Sequence, residues 1–485
     1  MLLSELLEGL SCVLCCADGG LEITRPFSDS RRAVCGGLFL CICGTKTSGE
    51  LFVREALEKG AAAIVTDAPV VGVPSVVVRD TRYAAAVIWN NFYKRPAEGM
   101  RLWGITGTNG KTSTAVFLKA CLEADGRRVG IIGTLGCFAG EREVHCAGSE
   151  KFGFPSAMTT PDPEYLYGVL REFQNMGMTD VVMEVSSHSI AQRKTDALRF
   201  FAGVFTNLSP EHLDFHKSME EYFRVKASFV SRCEIRIVNE DDGDCRRFCA
   251  SVPSVAVGKK NVSSESITAS GVKYKLSLGN GEALIEARVG GGFTVYNTLL
   301  AAAAAVSGGV PLEKVKRGIF SVTSVEGRLE RVFESEPFGF DVIIDYAHTP
   351  AALESVLLHL RKSARGRVIC VFGCGGDRDK SKRPLMGLVA QRLADGVIVT
   401  SDNPRGEDPE DIIRDIVKGM SGDNAVVVRD RKKAIFRAVS MARAGDVVLL
   451  AGKGHEKYEI VGEKKTFFDE REVVKEALFL KTTVD

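Results

Sequence analysis

Short apolar runs alternate with amphipathic stretches along most of the chain, and each run ends in a polar or glycine-rich turn. In the first hundred residues the runs are GGLFLCI, AAAIVTD and PSVVVRD, with a helical pattern, LFVREALEKG, between the first two. From about residue 330 the same order returns in FDVIIDYAHT, RVICVFGCGGDRD, DGVIVTSDNPR and DVVLLAGKGHE. Apolar strands followed by helices indicate parallel sheets covered by helices, so the pattern predicts an α/β fold.

The chain of 485 residues is too long for one ordinary hydrophobic core, and the pattern divides it into three domains. We expect a small N-terminal α/β domain over residues 1–98, a central domain over 99–329 and a C-terminal domain over 330–485. The segment SLGNGE at 277–282 carries a hairpin signal and predicts a β insertion in the central domain. Nearly every polar cluster follows an apolar strand, where ligands bind in open α/β sheets.

Composition narrows the class of protein. Lys and Arg total 63 against 62 for Asp and Glu, so no overall basic field exists for nucleic acid or an anionic membrane. No apolar run is long enough to span a bilayer, and the N-terminus is interrupted by Glu5 and Glu8, which argues against a signal peptide. The 14 cysteines are scattered without zinc spacing. We therefore expect reduced thiols in a cytoplasmic protein without membrane insertion.

The segment WGITGTNGKTST, residues 103–114, has the order of a phosphate-binding loop. Gly107 and Gly110 let the backbone approach phosphate, Lys111 supplies a mobile cation, and Thr112 can reach Mg²⁺. The spacing is one residue longer than in the common P-loop. Strand, loop and helix together predict ATP or GTP binding, although a glycine-rich turn without nucleotide is the alternative from the loop alone.

Potential metal ligands follow later in the central domain. Glu184 comes directly after the apolar VVM, while His212, Asp214 and His216 lie in the loop TNLSPEHLDFH, and Lys226 lies on an amphipathic helix. Carboxylate and imidazole groups beside a triphosphate suit Mg²⁺ or Mn²⁺. Each residue alone also fits a structural hydrogen bond or a solvated surface.

Together these segments resemble the Mur ligase family, the ATP-dependent ligases of cell-wall peptide synthesis. GTNGKTST, EVSSH, HLDFH, GRLE, DYAHTP and AGKGHE stand in family order along essentially the whole chain. The resemblance implies a UDP-sugar-binding N-terminal domain, a central P-loop-type ATPase domain with a parallel sheet, and a Rossmann-like C-terminal domain. It also implies why the phosphate loop starts so late, since the UDP-binding domain precedes it.

The resemblance implies a specific activity. ATP would activate the D-glutamyl γ-carboxylate of UDP-N-acetylmuramoyl-L-alanyl-D-glutamate as an acyl phosphate, and meso-2,6-diaminopimelate would then attack it. Lys111 and Mg²⁺ would neutralise the transferring phosphoryl group. The implied catalytic residues are Lys111, Glu184, His212 and Lys226, and the implied metal ligands are Thr112, Glu184, His212 and Lys226. Lys226 matches a lysine that CO2 carbamylates, which converts a cation into an anionic oxygen ligand.

Further contacts are implied residue by residue. Those to ATP are Gly107, Thr108, Asn109, Gly110, Lys111, Thr112, Ser113, Asn297, Arg328 and Asp345. Those to the UDP-sugar peptide are Ser28, Ser30, Thr45, Lys46, Thr47, Thr159, Thr160, Ser186, Gln192 and Lys194. The chain departs from the family pattern at Met158 and Thr294, where many relatives carry Asn, and at Lys194, which matches the family arginine. Arg193 stands one residue earlier, so the sequence leaves open which of the two side chains contacts the substrate.

The C-terminal domain is expected to choose the amino acid. The implied contacts are Arg378, Asp402, Asn403, Pro404, Arg405, Gly452 and Glu456. In the family, the DNPR form at 402–405 is associated with meso-diaminopimelate, whose second carboxylate lysine lacks. Arg405 and Arg378 offer planar cations for carboxylates, and Glu456 offers a carboxylate for the distal ammonium.

Three alternatives stay open at this point. One is a lysine-adding ligase of the same family, and a second is a folylpolyglutamate synthetase, against which the UDP-type domain argues. The third is a nucleotide- or UDP-sugar-binding protein without turnover, against which the intact Lys111, Glu184, His212 and Lys226 argue. We expect a monomer.

Overall fold

The computed structural model describes residues 1–44, 48–146, 158–268, 271–279, 281–422 and 424–482. The chain forms two compact units. The first comprises Met1–Val257 with Leu300–Pro311, and the second comprises Gly258–Leu299 with Leu312–Asp485. Among the described residues, no helix is both long and apolar enough to cross a membrane.

The first unit begins with a five-stranded sheet in the order β1-β5-β4-β3-β2, in which only β1 is antiparallel to its neighbour. The strands are β1 Cys12–Cys15, β2 Pro26–Phe27, β3 Gly37–Leu40, β4 Ala61–Thr66 and β5 Ser75–Val78. The helices are α1 Leu3–Leu6, α2 Val53–Glu58 and α3 Thr81–Phe92. The side chain of Asp80 caps the N-terminus of α3 by accepting bonds from two backbone N–H groups.

An eight-stranded sheet follows in the order β13-β12-β11-β6-β10-β7-β8-β9, in which β8 is antiparallel to both of its neighbours, β7 and β9. Its strands are β6 Arg101–Thr106, β7 Val129–Gly133, β8 Gly136–Ala139, β9 Arg142–Glu143, β10 Asp180–Glu184, β11 Ala202–Phe205, β12 Ile235–Asn239 and β13 Val255–Val257. Its helices are α4 Lys111–Ala124, α5 Pro163–Asn175, α6 Ser187–Ala191, α7 Leu213–His216, α8 Met219–Ser231 and α9 Gly243–Ser251. β6 and β10 are adjacent and almost wholly buried, as expected for central parallel strands.

The second unit holds an antiparallel sheet, a six-stranded sheet in the order β17-β18-β22-β19-β20-β21, and a two-stranded hairpin. The strands are β14 Val262–Ile267, β15 Val272–Leu278, β16 Gly281–Ala287, β17 Glu330–Val332, β18 Asp341–Asp345, β19 Val368–Phe372, β20 Gly396–Val399, β21 Ala425–Val427, β22 Val447–Ala451, β23 Tyr458–Val461 and β24 Lys464–Phe467. Helix α10, Gly292–Ser307, begins in the second unit, and its residues from Leu300 onward belong to the first. The other helices of the second unit are α11 Leu312–Ser321, α12 Pro350–Ser363, α13 Lys382–Leu393, α14 Pro409–Val417, α15 Arg431–Met441 and α16 Glu470–Thr482.

The predicted α/β architecture is confirmed, and so is the hairpin at 277–282, because β15 and β16 pair antiparallel. The five-, eight- and six-stranded sheets lie within the ranges 1–98, 99–329 and 330–485, respectively. The three-domain division itself stays a prediction. The fold places the phosphate-type loop after β6 and Glu184 at the end of β10, so both lie at the carboxyl edge of the same sheet.

Candidate active site

The loop between β6 and α4 requires glycine at two positions. Gly107 has φ 145° and Gly110 has φ 82°, backbone conformations that other residues rarely adopt. A Cβ atom on Gly107 would also lie 1.9 Å from Thr206 Oγ1. The two glycines therefore set both the path of the loop and its close packing against the segment that follows β11.

That following segment fixes the loop by hydrogen bonds. Asn207 Oδ1 accepts from the Asn109 N–H at 2.9 Å, and Thr206 Oγ1 donates to the Asn109 carbonyl at 2.7 Å. The backbone N–H of Thr108 donates to the Asn207 carbonyl at 2.9 Å. The side chain of Thr108 accepts from the Ser209 N–H at 3.0 Å. The loop is thus held in place by the neighbouring strand end.

Two lysines converge on this loop. Lys111 Nζ donates to the carbonyls of Gly107 and Thr108 at 3.0 and 2.7 Å, and Lys226 Nζ donates to the Gly107 carbonyl at 2.8 Å. Lys226 is 1% exposed and lies over the ring of Tyr222. Burial, reinforced by the nearby Lys111 ammonium, holds the pKa of Lys226 well below its usual value. Both influences favour the neutral amine over the ammonium.

The carboxylate of Glu184 lies beside the first turn of α4. It is 1% exposed and accepts from Thr112 Oγ1 at 3.0 Å. Thr134, after β7, donates to it through its backbone N–H at 2.8 Å and its hydroxyl at 3.2 Å. A Cβ on Gly133 would come within 2.3 Å of Glu184 Oε1, so this glycine makes room for the carboxylate. Thr112 and Glu184, two of the four predicted metal ligands, thus meet directly.

The histidines form an aromatic cluster. His212 has the left-handed φ of 57°, is 43% exposed, and packs edge-on against His188 with ring centroids 4.7 Å apart. His216 is fully buried, and neither of its ring nitrogens has a hydrogen-bond partner among the described residues. Burial lowers the pKa of His188 and of His216 to about 4 in each case. Both are therefore neutral near pH 7, which suits a site that would bind cations.

The donor chemistry at this edge fits a hard divalent cation. In the described part of the chain no three His, Cys, Asp or Glu side chains come together as a metal site. The predicted ligand set needs no such group, because two of its four members are a threonine hydroxyl and a modified lysine. Glu184 and Thr112 supply adjacent oxygens, and the buried Lys226 would supply two more if it carried a carbamate.

The residues predicted to contact the UDP-sugar peptide differ in their exposure and in their hydrogen-bond partners. Ser28 is exposed, whereas the hydroxyl of Ser30 donates to Glu55 Oε2 at 2.7 Å. Thr160 Oγ1 donates to the Glu184 carbonyl at 2.9 Å, and Ser186 caps α6. The predicted contacts Thr45, Lys46 and Thr47 lie outside the described residues.

Two further predicted contacts to the UDP-sugar peptide are Thr159 and Gln192. The hydroxyls of Thr159 and Thr134 lie 3.0 Å apart, and Gln192 ends helix α6. The predicted sugar-peptide contacts Thr159, Thr160 and Ser186 therefore lie next to Thr134 and Glu184.

Arg193 and Lys194 have different partners in the structure. Arg193 has ion pairs with Asp80 and Asp196, each at 2.8 Å, and lies over a tyrosine ring. Lys194 is 7% exposed, with Nζ 2.7 Å from Asp162 Oδ1 and 3.7 Å from Met158 Sδ. Lys194 therefore stays the predicted contact to the UDP-sugar peptide, since Arg193 already has two carboxylate partners.

We expect Lys194→Gln to raise KM for the UDP-dipeptide about tenfold and to leave KM for ATP within twofold, because one charge-assisted contact is lost. Arg193→Gln is the matched control, and we expect it to lower the melting temperature without a selective effect on the UDP-dipeptide. Initial rates of phosphate release at varied substrate concentrations measure both. The assignment is wrong if Arg193→Gln gives the larger rise in KM for the UDP-dipeptide.

Three predicted ATP contacts belong to the second unit. Arg328 lies over the ring of Tyr346, with its Cζ 4.6 Å from the ring centroid. Asp345 ends β18 and accepts from the backbone N–H groups of Leu329 and Ala347, each at 2.8 Å. Burial raises the pKa of Asp345, and the nearby Arg328 opposes that rise. Asn297 is buried on α10.

The predicted amino-acid pocket is built at the ends of β20 and β22. Asn403 Nδ2 donates to Glu456 Oε2 at 2.7 Å, and Arg405 Nη1 donates to the Gly376 carbonyl at 2.9 Å. Gly452 has φ 113°, and a Cβ there would lie 2.8 Å from Asp402 Oδ2. Burial, together with Asp402, raises the pKa of Glu456.

Two other members of the predicted pocket differ in exposure. Arg378 is exposed, and its Nη1 donates to the neighbouring Asp377 carbonyl at 3.3 Å. Pro404 is buried, and its carbonyl oxygen would lie 1.9 Å from a Cβ on Gly376. Glycine at 376 therefore lets the two loops pack closely.

Several residues of these sites could not be identified, or were not identified, from the sequence alone. Thr134 and His188 lie beside predicted residues, and His188 could have been found within the EVSSH segment. Lys453 stands inside AGKGHE, yet its full burial next to Asp402 and Asn403 has no sequence signal. Arg383 is likewise fully buried on α13, where its position gives no hint of its partners.

The buried Arg383 forms ion pairs with two partly exposed carboxylates next to the predicted amino-acid pocket. Arg383 contacts Glu407 at 2.9 Å and Asp415 at 3.1 Å, and Glu407 Oε1 accepts from the Asp377 N–H at 2.6 Å. The hydrogen bond from Arg383 lowers the pKa of Glu407 to about 2. Glu407 thus ties the loop of Arg378 to the loop of Arg405.

We expect Glu407→Gln to lower the melting temperature by a few degrees at pH 7 and progressively less as pH falls from about 4.5 toward 2. A carboxylate with a depressed folded-state pKa contributes stability above its unfolded pKa and loses it on acidification through the folded value. Calorimetry of wild type and variant across this range measures the difference. An equal difference at pH 7 and near pH 2 would contradict the assignment.

Comparisons with known proteins extend over the whole chain. The model of the Mur ligase middle domain matches residues 105–305, and that of the Mur ligase glutamate ligase domain matches residues 327–454. A UDP-N-acetylmuramoyl-L-alanyl-D-glutamate–2,6-diaminopimelate ligase of Clostridium acetobutylicum is 40% identical, over 98% of this chain and 99% of the relative. The enzyme of that name from Caldanaerobacter subterraneus is 43% identical, over 99% of both chains.

A solved structure of a UDP-N-acetylmuramoyl-L-alanyl-D-glutamate–2,6-diaminopimelate ligase is similar in three dimensions. It superimposes with a TM-score of 0.68 at 27% identity, over 99% of each chain. The similarity therefore covers the N-terminal sheet as well as the two segments matched by the family models.

Proposed function

The chain belongs to the Mur ligase family, and on that basis we propose that it adds meso-2,6-diaminopimelate to UDP-N-acetylmuramoyl-L-alanyl-D-glutamate. It is an ADP-forming, ATP-dependent amide-bond ligase of peptidoglycan precursor synthesis. Residues 1–98 would bind the UDP-sugar, 99–329 would bind ATP, and 330–485 would bind the amino acid. We further propose that it acts as a monomer in the cytoplasm.

The observation that carries the proposal is the arrangement around Gly107. Two lysines donate to its carbonyl, while Thr112 at the start of α4 donates to the buried Glu184. A carboxylate is a poor acyl donor until its oxygen becomes part of a better leaving group. Transfer of the γ-phosphoryl group makes the acyl phosphate, and the acceptor amine then displaces phosphate as the amide forms. Lys111 would neutralise charge on the transferring group.

Mg²⁺ bound at Thr112, Glu184, His212 and a carbamylated Lys226 would neutralise the triphosphate and the developing charge. The depressed pKa and full burial of Lys226 support this modification. A neutral amine attacks the carbon of CO2, one proton leaves, and the product is an anionic carbamate. Without that change a protonated lysine would repel the cations.

The proposal is tested by phosphate release from ATP in the presence of the UDP-dipeptide and a panel of amino acids. We expect release to depend on meso-diaminopimelate and to be much slower with lysine or glutamate. Mass spectrometry of the product should show the UDP-tripeptide. A nucleotide-binding protein without turnover would give no release that depends on an amino acid, and a lysine-adding ligase would favour lysine.

A further inference from the structure

A lysine that has no assigned role lies under the amino-acid pocket. Lys453, two residues after β22, is 0% exposed. Its ammonium donates to Asn403 Oδ1 at 3.1 Å and to the Tyr458 carbonyl at 2.8 Å, and it lies 3.3 Å from Asp402 Oδ1. A buried ammonium is costly unless it is paired, so these contacts define one stable arrangement.

The contacts of Lys453 determine which way the Asn403 amide faces. Asn403 Oδ1 accepts from two donors, Lys453 Nζ and the Ile460 N–H at 3.0 Å. Its Nδ2 is thereby directed to Glu456 Oε2 at 2.7 Å. A reversed amide would place its oxygen against the carboxylate and its NH2 against two donors. Lys453 therefore fixes the Glu456 carboxylate through Asn403.

The same network reaches Arg405. The Ile460 carbonyl accepts from the Arg405 N–H at 3.1 Å, and the Arg405 carbonyl accepts from the Gly462 N–H at 2.7 Å. Arg405 has the left-handed φ of 51°, which non-glycine residues adopt only where surrounding contacts hold them. The β23–β24 hairpin, tied to Asn403 through Ile460, thus also fixes the backbone that presents the Arg405 guanidinium.

We propose that Lys453 is a positioning residue for the acceptor amino acid, acting through the Asn403 amide rather than by contact with the substrate. It orients Glu456, which would meet an ammonium, and stabilises the hairpin that holds Arg405, which would meet a carboxylate. The inference rests on the proposed function for the identity of the acceptor. The geometric claim itself concerns only how the two charged groups are held.

Lys453→Met tests the proposal, since Met has nearly the same length and lacks the ammonium. We expect KM for the best acceptor of the wild-type panel to rise about tenfold while KM for ATP and the UDP-dipeptide stays within about twofold. Lys481→Met is the matched control, because Lys481 also donates to two main-chain carbonyls, those of Ser440 and Ala442, away from the pocket. We expect that control to leave all three constants unchanged.

A second measurement separates positioning from a general loss of structure. If Lys453 acts through Asn403, Asn403→Ala alone raises acceptor KM, and adding Lys453→Met raises it little further. Additive effects, or equal rises in KM for all three substrates, overturn the proposal. Should Lys453→Met fold poorly, Lys453→Gln keeps a donor without charge and is expected to retain acceptor selectivity. Absence of any amino-acid-dependent turnover by wild type would refute the proposed function instead.

Discussion

Lys226→Ala is expected to lower turnover by roughly two to three decades, the largest loss that we predict for a single side chain. The substitution removes the buried amine that contacts the Gly107 carbonyl and, with it, the site of the carbamate. Short carboxylates such as formate or acetate should restore part of the activity, because they can supply the missing oxygen ligands. Steady-state phosphate release with and without added formate measures both effects.

The control for this experiment is Lys119→Ala, which removes a lysine paired with Glu123 one turn along the same helix, α4, and should leave turnover unchanged. Carbamylation can also be observed directly by ¹³C NMR of enzyme equilibrated with ¹³C-labelled bicarbonate. Wild type should show a carbamate signal that Lys226→Ala lacks. Near-wild-type turnover of the variant, or an unmodified lysine in a crystal with bound metal, would refute the assignment.

The sequence predicted the strands and the phosphate-type loop because these depend on local pattern. Apolar runs such as GVIVT and DVVLLA specify buried strands, and Gly107 and Gly110 specify backbone conformations close to their own positions. The carboxyl-end placement of Glu184 followed from the geometry of parallel sheets. The roles of these residues came from the family resemblance, because the pattern of hydrophobic positions does not reveal them.

Long-range partners could not be predicted in this way. Thr134 reaches Glu184 across 50 residues, and Lys453 reaches Asn403 across the same separation. A buried lysine cannot be recognised from the sequence, because lysine side chains are usually exposed. Whether one is buried depends on which acidic and amide side chains the fold brings close to it. One of the two ion-pair partners of Arg193, Asp80, likewise lies far earlier in the chain, and only the fold shows this contact.

Arg405→Ala is expected to weaken use of meso-diaminopimelate by about one to two decades, while KM for ATP and the UDP-dipeptide changes little. Among the described residues, the side-chain hydrogen bonds of Arg405 use only Nη1, which donates to the carbonyls of Gly376 and Asn403. Nε and Nη2 therefore form an edge that can grip a carboxylate with two parallel bonds. Losing such a contact removes roughly 1.5–3 kcal/mol.

Two further variants test whether the loss comes from the bidentate contact of Arg405 itself. Arg405→Lys keeps the charge without the planar fork and should recover only a small part of the activity. Arg429→Ala, which removes an exposed arginine near Glu410 in the same six-stranded sheet region, should have no effect on the acceptor. The loss in Arg405→Ala should appear in acceptor KM if the side chain only holds the distal carboxylate, and in kcat as well if that grip aligns the attacking amine.

The comparison with lysine decides what Arg405 recognises. Lysine lacks the second carboxylate, so wild type should use it poorly because its binding would leave the guanidinium unpaired. For the same reason Arg405→Ala should change the use of lysine far less than the use of meso-diaminopimelate, and the ratio of the two kcat/KM values should fall by at least about tenfold. Equal use of both amino acids by wild type would refute the role of the DNPR segment in selection while leaving the ligase activity itself intact.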